Sequence, residues 1–251
     1  MSKIRVLLET HNSTTNDYYQ KWLDKDFEYV CQMENADLII IAGSGTISPA
    51  LFSHDYINSL KNTSQAMLEY REDLDLLSVK LFVQALLLDK PIVGINRGAH
   101  IVAAMNGCSL IQEIDRHYST SHAITTSGSN VYKIKSNHSQ MMYPFDLKAE
   151  EYDIVAWARN VSTKFVMQKF GQNTNLAKST VTVEPEILYF NKTHSLAIQN
   201  GAENGSPTDC ENILYGDYLE SLVDKMIFGK MQKHITNSYR TEDIINKYKS
   251  Y

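Results

Sequence analysis

Short, strongly apolar runs alternate with longer segments of helical periodicity through the first half of the chain. Ile4 to Leu8 reads as a first strand, followed by a polar turn and a helix through Tyr18, Tyr19 and Trp22 that Thr14, Thr15 or Asn16 is placed to cap. Ala36 to Ala42 is almost continuously aliphatic, the pattern of a strand buried on both faces. Gly43-Ser44-Gly45 ends that strand in a sharp turn. Between Glu72 and Leu88, the apolar residues Leu74, Leu77, Leu81, Ala85 and Leu88 recur at steps of three or four, which predicts an amphipathic helix along that stripe. Pro91 to Ile95 predicts another central strand, and the Ala-, Val- and Ile-rich stretch from Gly98 to Met105 a buried helix. Only Asn96 and Arg97 lie between them. So abrupt a turn strains the residue at its apex and points it over the end of the sheet.

From Ile124 onwards the strand candidates shorten: Val131 to Lys135, Ile154 to Arg159, Phe165 to Phe170 and Ile187 to Phe190 predict an added, partly antiparallel layer. The polar segment Gly171 to Ser179 reads as a loop, and Asn212 to Phe228 and the charged tail to Tyr251 as helical. The alternation predicts an α/β fold with a mostly parallel sheet flanked by helices. Without internal repeats or a low-complexity linker, residues 1–251 read as a single domain with a helical tail over about 229–251.

Composition narrows the function classes. A chain of 251 residues, 43% hydrophobic and 21% charged, is long enough for a full core and too apolar to be disordered. Its formal charge of -5, with acidic and basic residues interspersed, leaves no basic stripe, so nucleic acid is not an expected partner. The N-terminus lacks the features of a signal peptide, and no apolar run approaches the roughly 20 residues needed to span a bilayer. The expectation is a protein that does not engage membranes and is cytoplasmic, or in the host cytoplasm if the Lys-, Asn- and Tyr-rich usage reflects a viral genome. Cys31, Cys108 and Cys210 are odd in number and widely spaced, which points to buried structural thiols rather than disulfides or a zinc site. No cofactor or metal is expected.

The segment Lys90 to His100 resembles the nucleophile elbow of class I glutamine amidotransferases, where a Gly-Ile-Cys-x-Gly motif joins strand to helix. Gly107 to Ile114 looks like the Gly-Gly-Thr-Leu-x-Gln-Asp-Ile run that follows it in γ-glutamyl hydrolases and γ-glutamyl-polyamine hydrolases. Ile40 to Phe52 is similar to their Gly-Gly-Asp-x-x-Pro-x-x-Tyr loop, and Ser136-Asn137-His138-Ser139-Gln140 to their Asn-Ser-x-His-x-Gln segment. Ser195 to Glu203 aligns with the strand and Gln-x-His-Pro-Glu motif that supplies the base and its orienting acid. The resemblance, to the peptidase C26-like branch, covers roughly residues 36 to 203 and implies a flavodoxin-like three-layer sandwich.

In that family a cysteine thiolate attacks a glutamine side chain or γ-glutamyl bond, a histidine moves the protons, and backbone N–H groups hold the oxyanion. Here the cysteine position is Asn96, the histidine position Gly201 and the proline position Ala202, while Gln199 and Glu203 remain. An amide lacks a nucleophilic lone pair and glycine has no base, so Glu203 has no imidazole to orient. The resemblance implies an oxyanion-like pocket of Gly43, Ser44, Gly45, Arg97, His138 and Gln140. The glycines fit equally a turn that merely needs them. His138 fits a substrate-loop or structural histidine better than a recruited base. Cys108 reads as an inert buried thiol rather than a relocated nucleophile, and His100 as a satisfied core histidine. His122 and His194 carry no specific signal. The leading expectation is a catalytically impaired protein that binds a glutamine- or γ-glutamyl-like small molecule, a protein partner or another copy of itself. The alternatives are an active amide or γ-glutamyl hydrolase with rearranged residues, and an assembly component that kept only the fold.

Overall fold

The computed structural model describes residues 3–10, 27–52, 71–114, 116–159, 164–169, 172–177, 183–200 and 210–228. Its centre is a nine-stranded mixed sheet. The parallel half holds β1 (Ile4–Thr10), β2 (Phe27–Tyr29), β3 (Leu38–Gly43) and β4 (Ile92–Asn96). These read as strands because β3 and β4 are buried at every position. Side chains alternate between faces: Ile39 and Ile41 enter one core with helix α1 (Glu72–Leu87) and helix α2 (Arg97–Met105). Leu38, Ile40 and Ala42 enter the other, beneath helix α3 (Cys210–Ile227). The result is a three-layer α/β sandwich, as the sequence pattern and the resemblance both imply.

The other half of the sheet is antiparallel. β13 (Ser195–Ile198) runs parallel to β4, then β12 (Pro185–Phe190), β9 (Tyr152–Ala158), β6 (Thr120–Thr126) and β7 (Val131–Ser136) follow in antiparallel pairs. A separate four-stranded antiparallel sheet joins β5 (Ser109–Ile114), β8 (Met141–Tyr143), β10 (Lys164–Lys169) and β11 (Gln172–Ala177). The segment expected to be a loop from Gly171 therefore contains a strand. β11 pairs along the whole of β10, and backbone pairing in a hairpin does not require apolar side chains.

Helix α1 also departs from its expected phase. Leu77 and Leu88 are exposed, whereas Asp75, Ser78, Val79, Phe82 and Val83 are buried. The i, i+3, i+4, i+7 spacing holds, but two polar residues occupy the inner face. The expected first helix through Trp22 and the tail beyond Phe228 lie outside the described residues. Among the described residues, no helix is long and apolar enough to cross a membrane.

Candidate functional site

β4 passes into α2 without an intervening residue. Asn96 is the last strand residue and the N-cap of the helix, with φ 53° and ψ -113°. With φ positive and ψ far from the left-handed helical well, a non-glycine residue here is strained. Two glycines make the crossing close enough. A Cβ on Gly98 would stand 1.8 Å from the Ile41 carbonyl oxygen, and one on Gly94 2.3 Å from that of Gly98. The helix backbone thus lies directly on the sheet, and all nine residues of α2 are buried.

The register places Gly43 beside Asn96 and Ile198 beside Ile95. The C-terminal ends of β3, β4 and β13 therefore meet at one edge, where open α/β sheets form their sites. Gly45 has φ 98°, and Ser44 and Gly45 are exposed above this edge. Gln140 clamps the same loop, accepting from the Ile47 N–H at 2.9 Å and donating to the Ile47 carbonyl at 3.1 Å. The structure thus gathers Gly43, Ser44, Gly45, Arg97, His138 and Gln140 around one end of the sheet. Gly201, Ala202 and Glu203 lie outside the described residues.

Arg97 carries a role that its sequence motif does not reveal. Its guanidinium, buried among α1 residues, forms an ion pair with Asp75 and donates to Ser78 Oγ at 3.3 Å. Asp75 also accepts the Ser48 N–H at 2.7 Å. Burial pushes the Arg97 pKa down, against the attraction of Asp75.

Next to the elbow lies a buried polar cluster. His117 precedes β6, His122 stands on β6, His138 follows β7, and Glu184 and Glu186 stand at the start of β12. Both glutamates have no exposed surface. His122 Nε2 is 2.9 Å from Glu186 Oε1, while His117 Nε2 lies 3.3 Å from Glu186 and 3.4 Å from Glu184. His138 Nδ1 donates to the Gln140 carbonyl at 2.8 Å, and its Nε2 lies 3.6 Å from Glu186 Oε2. Gln199, at the end of β13, approaches His138 Nε2 at 3.4 Å and accepts the Met142 N–H at 2.8 Å. Burial favours a neutral Glu186, but the three histidines outweigh it and hold the carboxyl well below its usual range. Donor atoms of His117, His138 and Glu186 converge closely enough to hold a metal ion.

Some expectations require correction. His100 is buried, with its ring 6.3 Å from that of His138, but neither ring nitrogen has a protein atom in hydrogen-bonding geometry among the described residues. Among the described residues the expectation of a satisfied core histidine is therefore not met. Burial, aided by His138, pushes its pKa down to about 3, although Gln199 lies near enough to oppose this. Cys31 is exposed rather than buried. Cys108 is buried as expected, at the far end of α2. Glu184 and Glu186 are not among the site residues expected from the sequence; the only signal for them there is that two carboxylates flank Pro185 at the entrance to an otherwise apolar strand, where burial is costly without partners.

Two clefts are formed by described residues. One, of about 230 Å³, is lined by Ser48, Ala50, Leu51, Glu72, Asp75 and others of α1, next to the Arg97 ion pair. The other, of about 350 Å³, lies beside β1 and β2 and includes Cys31. The first adjoins the elbow; the second does not contribute to it.

Sheet order, elbow and loop together define a class I glutamine amidotransferase-like fold. The Peptidase C26 family model matches residues 22–202, and the chain belongs to that family. Among solved structures, a protein from Thermoplasma acidophilum described as a GMP synthase subunit is 14% identical with a TM-score of 0.50, covering 100% of this chain and 96% of that one. The structure of SMU.1228c is 13% identical with a TM-score of 0.51, covering 89% and 99%. A glutamine amidotransferase from Thermotoga maritima is 12% identical with a TM-score of 0.45, covering 99% and 95%. No curated protein sequence matches the chain significantly.

Proposed function

We propose that this protein is a catalytically impaired member of its family that binds a small amino-acid-like ligand at the elbow without turning it over efficiently. The observation that carries the reading is Asn96. It occupies the strained elbow position, 1% exposed, where the matching family motif has cysteine. A carboxamide has no thiolate to form and no lone pair free to attack. Gly201, matched to the family's histidine, has no side chain to move a proton.

The rival with a relocated nucleophile gains little support from Cys108. The helix of nine residues separates it from Asn96, roughly 13 Å at 1.5 Å per residue, and burial pushes its thiol pKa up. The backbone around Gly43 to Gly45 still stands beside the elbow, so polar donors for a ligand can outlast the lost chemistry.

Purified protein should release glutamate or ammonia from glutamine and γ-glutamyl amides far below the ordinary ~10 s⁻¹. Ordinary turnover that survives Asn96→Ala overturns the impaired-site reading. Calorimetry against glutamine, glutamate and γ-glutamyl compounds should give heat that Gly45→Val abolishes. Its absence would shift the reading to a protein partner.

A further inference from the structure

The histidine–glutamate cluster has a feature that hydrogen bonding alone does not satisfy. His138 Nδ1 faces the Gln140 carbonyl, which only accepts, so the ring hydrogen sits on Nδ1. In the neutral ring, Nε2 then presents its lone pair, which the Gln199 amide approaches as donor at 3.4 Å, beside Glu186 Oε2, which is acceptor-only when ionised and has no hydrogen-bond donor in place among the described residues. Two acceptors thus face each other at 3.6 Å in a fully buried position. A proton between them would make a charge-assisted bond, but such bonds close to about 2.7–2.9 Å.

The distances fit a different bridging cation. In a tetrahedral zinc site with Zn–N and Zn–O bonds of about 2.0–2.2 Å, neighbouring ligand atoms stand about 3.3–3.6 Å apart. His117 Nε2 lies 3.3 Å from Glu186 Oε1, His138 Nε2 lies 3.6 Å from the other oxygen, Oε2, and one ligand atom from each of the three residues falls within 4.8 Å of the others. We propose that His117, His138 and Glu186 form a binding site for a divalent transition-metal ion of the zinc class. Two imidazoles and one carboxylate suit that class by chemistry as well as distance.

The surroundings match what metal-binding histidines require. His138 is oriented by donating its other nitrogen to a backbone carbonyl, an arrangement typical of histidine ligands. The shorter 2.9 Å approach of His122 to Glu186 Oε1 is an ordinary hydrogen bond that orients the carboxylate. Glu184, 3.4 Å from His117 Nε2, adds a second buried carboxylate to balance a dication. The ligands come from separate parts of the antiparallel half of the sheet, so the metal would pin β12 to the segments flanking β6 and β7. The site adjoins the elbow through His100 and Gln199 and takes His138 from the residues gathered there. Zn²⁺ uptake is measured without any glutamine-like ligand, so its outcome is read separately from the ligand-binding reading.

The test uses the full chain, stripped with chelator and titrated with Zn²⁺ in competition with a chromophoric chelator, alongside elemental analysis of the untreated protein. The expected result is saturation near one zinc per chain, with a rise in Tm on binding. Glu186→Gln and His138→Ala should each weaken uptake at least about 100-fold, because loss of an orienting partner alone costs about 10–100-fold. Since both variants alter fully buried groups, His122→Gln supplies a milder readout and should weaken binding about 10–100-fold. Cys31→Ser should leave binding unchanged, separating the site from an exposed thiol. Failure of the wild-type chain to take up Zn²⁺, or uptake unaffected by all three cluster variants, would overturn the proposal.

Discussion

Cys108 shows how one residue type acquires different chemistry from its surroundings. Its thiol is enclosed and donates to the Ser109 carbonyl at 3.2 Å, and burial pushes its pKa up. Cys31, in contrast, lies exposed beside the cleft at β1 and β2. Thiolate availability governs alkylation, so iodoacetamide should modify Cys31 in the native protein and reach Cys108 only in denaturant, as mapped by mass spectrometry. Rapid native labelling of Cys108 would contradict the packing described. The sequence showed that Cys108 had apolar neighbours, and burial followed. It could not show that Cys31 falls at a strand end open to solvent, nor that His100 would be enclosed with neither ring nitrogen in hydrogen-bonding geometry among the described residues, because both depend on what the rest of the chain brings alongside.

The elements most legible in sequence were those that bury both faces. β3, β4 and α2 are buried throughout and apolar except for Asn96, Arg97 and His100, and the two-residue interval between the predicted strand and helix revealed the elbow. α1 and β11 were harder to read. The inner face of α1 includes Asp75 and Ser78, so counting only leucines rotates the helix; β11 is held by backbone pairing that polar composition conceals. The elbow itself gives a sharp prediction. Gly98→Ala would place a methyl group 1.8 Å from the Ile41 carbonyl oxygen, and neither backbone can yield cheaply. It should destabilise the protein by about 3 kcal/mol or more, seen as a lower urea midpoint with unchanged slope. Gly128→Ala meets nothing nearer than 3.8 Å and should stay within about 0.5 kcal/mol of the parent. Equal effects would mean that α2 does not lie against the sheet as described.

Across the whole molecule, the sheet separates two apolar cores, and polar residues fasten the layers where those cores meet the elbow. The family's segments made Asn96 and the glycine loop legible, but the histidine–glutamate cluster was not: its members span residues 117 to 186 and meet only through strand order. The Arg97–Asp75 pair is similarly hidden, with one partner on α1 and the other on α2. Asp75 also holds Ser48 after the glycine loop, so one carboxylate links both helices to that loop. Asp75→Ala should therefore remove the buried guanidinium's ion-pair partner and cost about 3–5 kcal/mol. Pairing it with Arg97→Met removes that charge, and the double variant should recover much of that loss because an apolar replacement of a buried pair is often close to neutral. A urea-denaturation double-mutant cycle measures the coupling directly. Strictly additive losses would show that the two side chains do not depend on each other, and the link from α1 through the elbow to the loop would have to be abandoned.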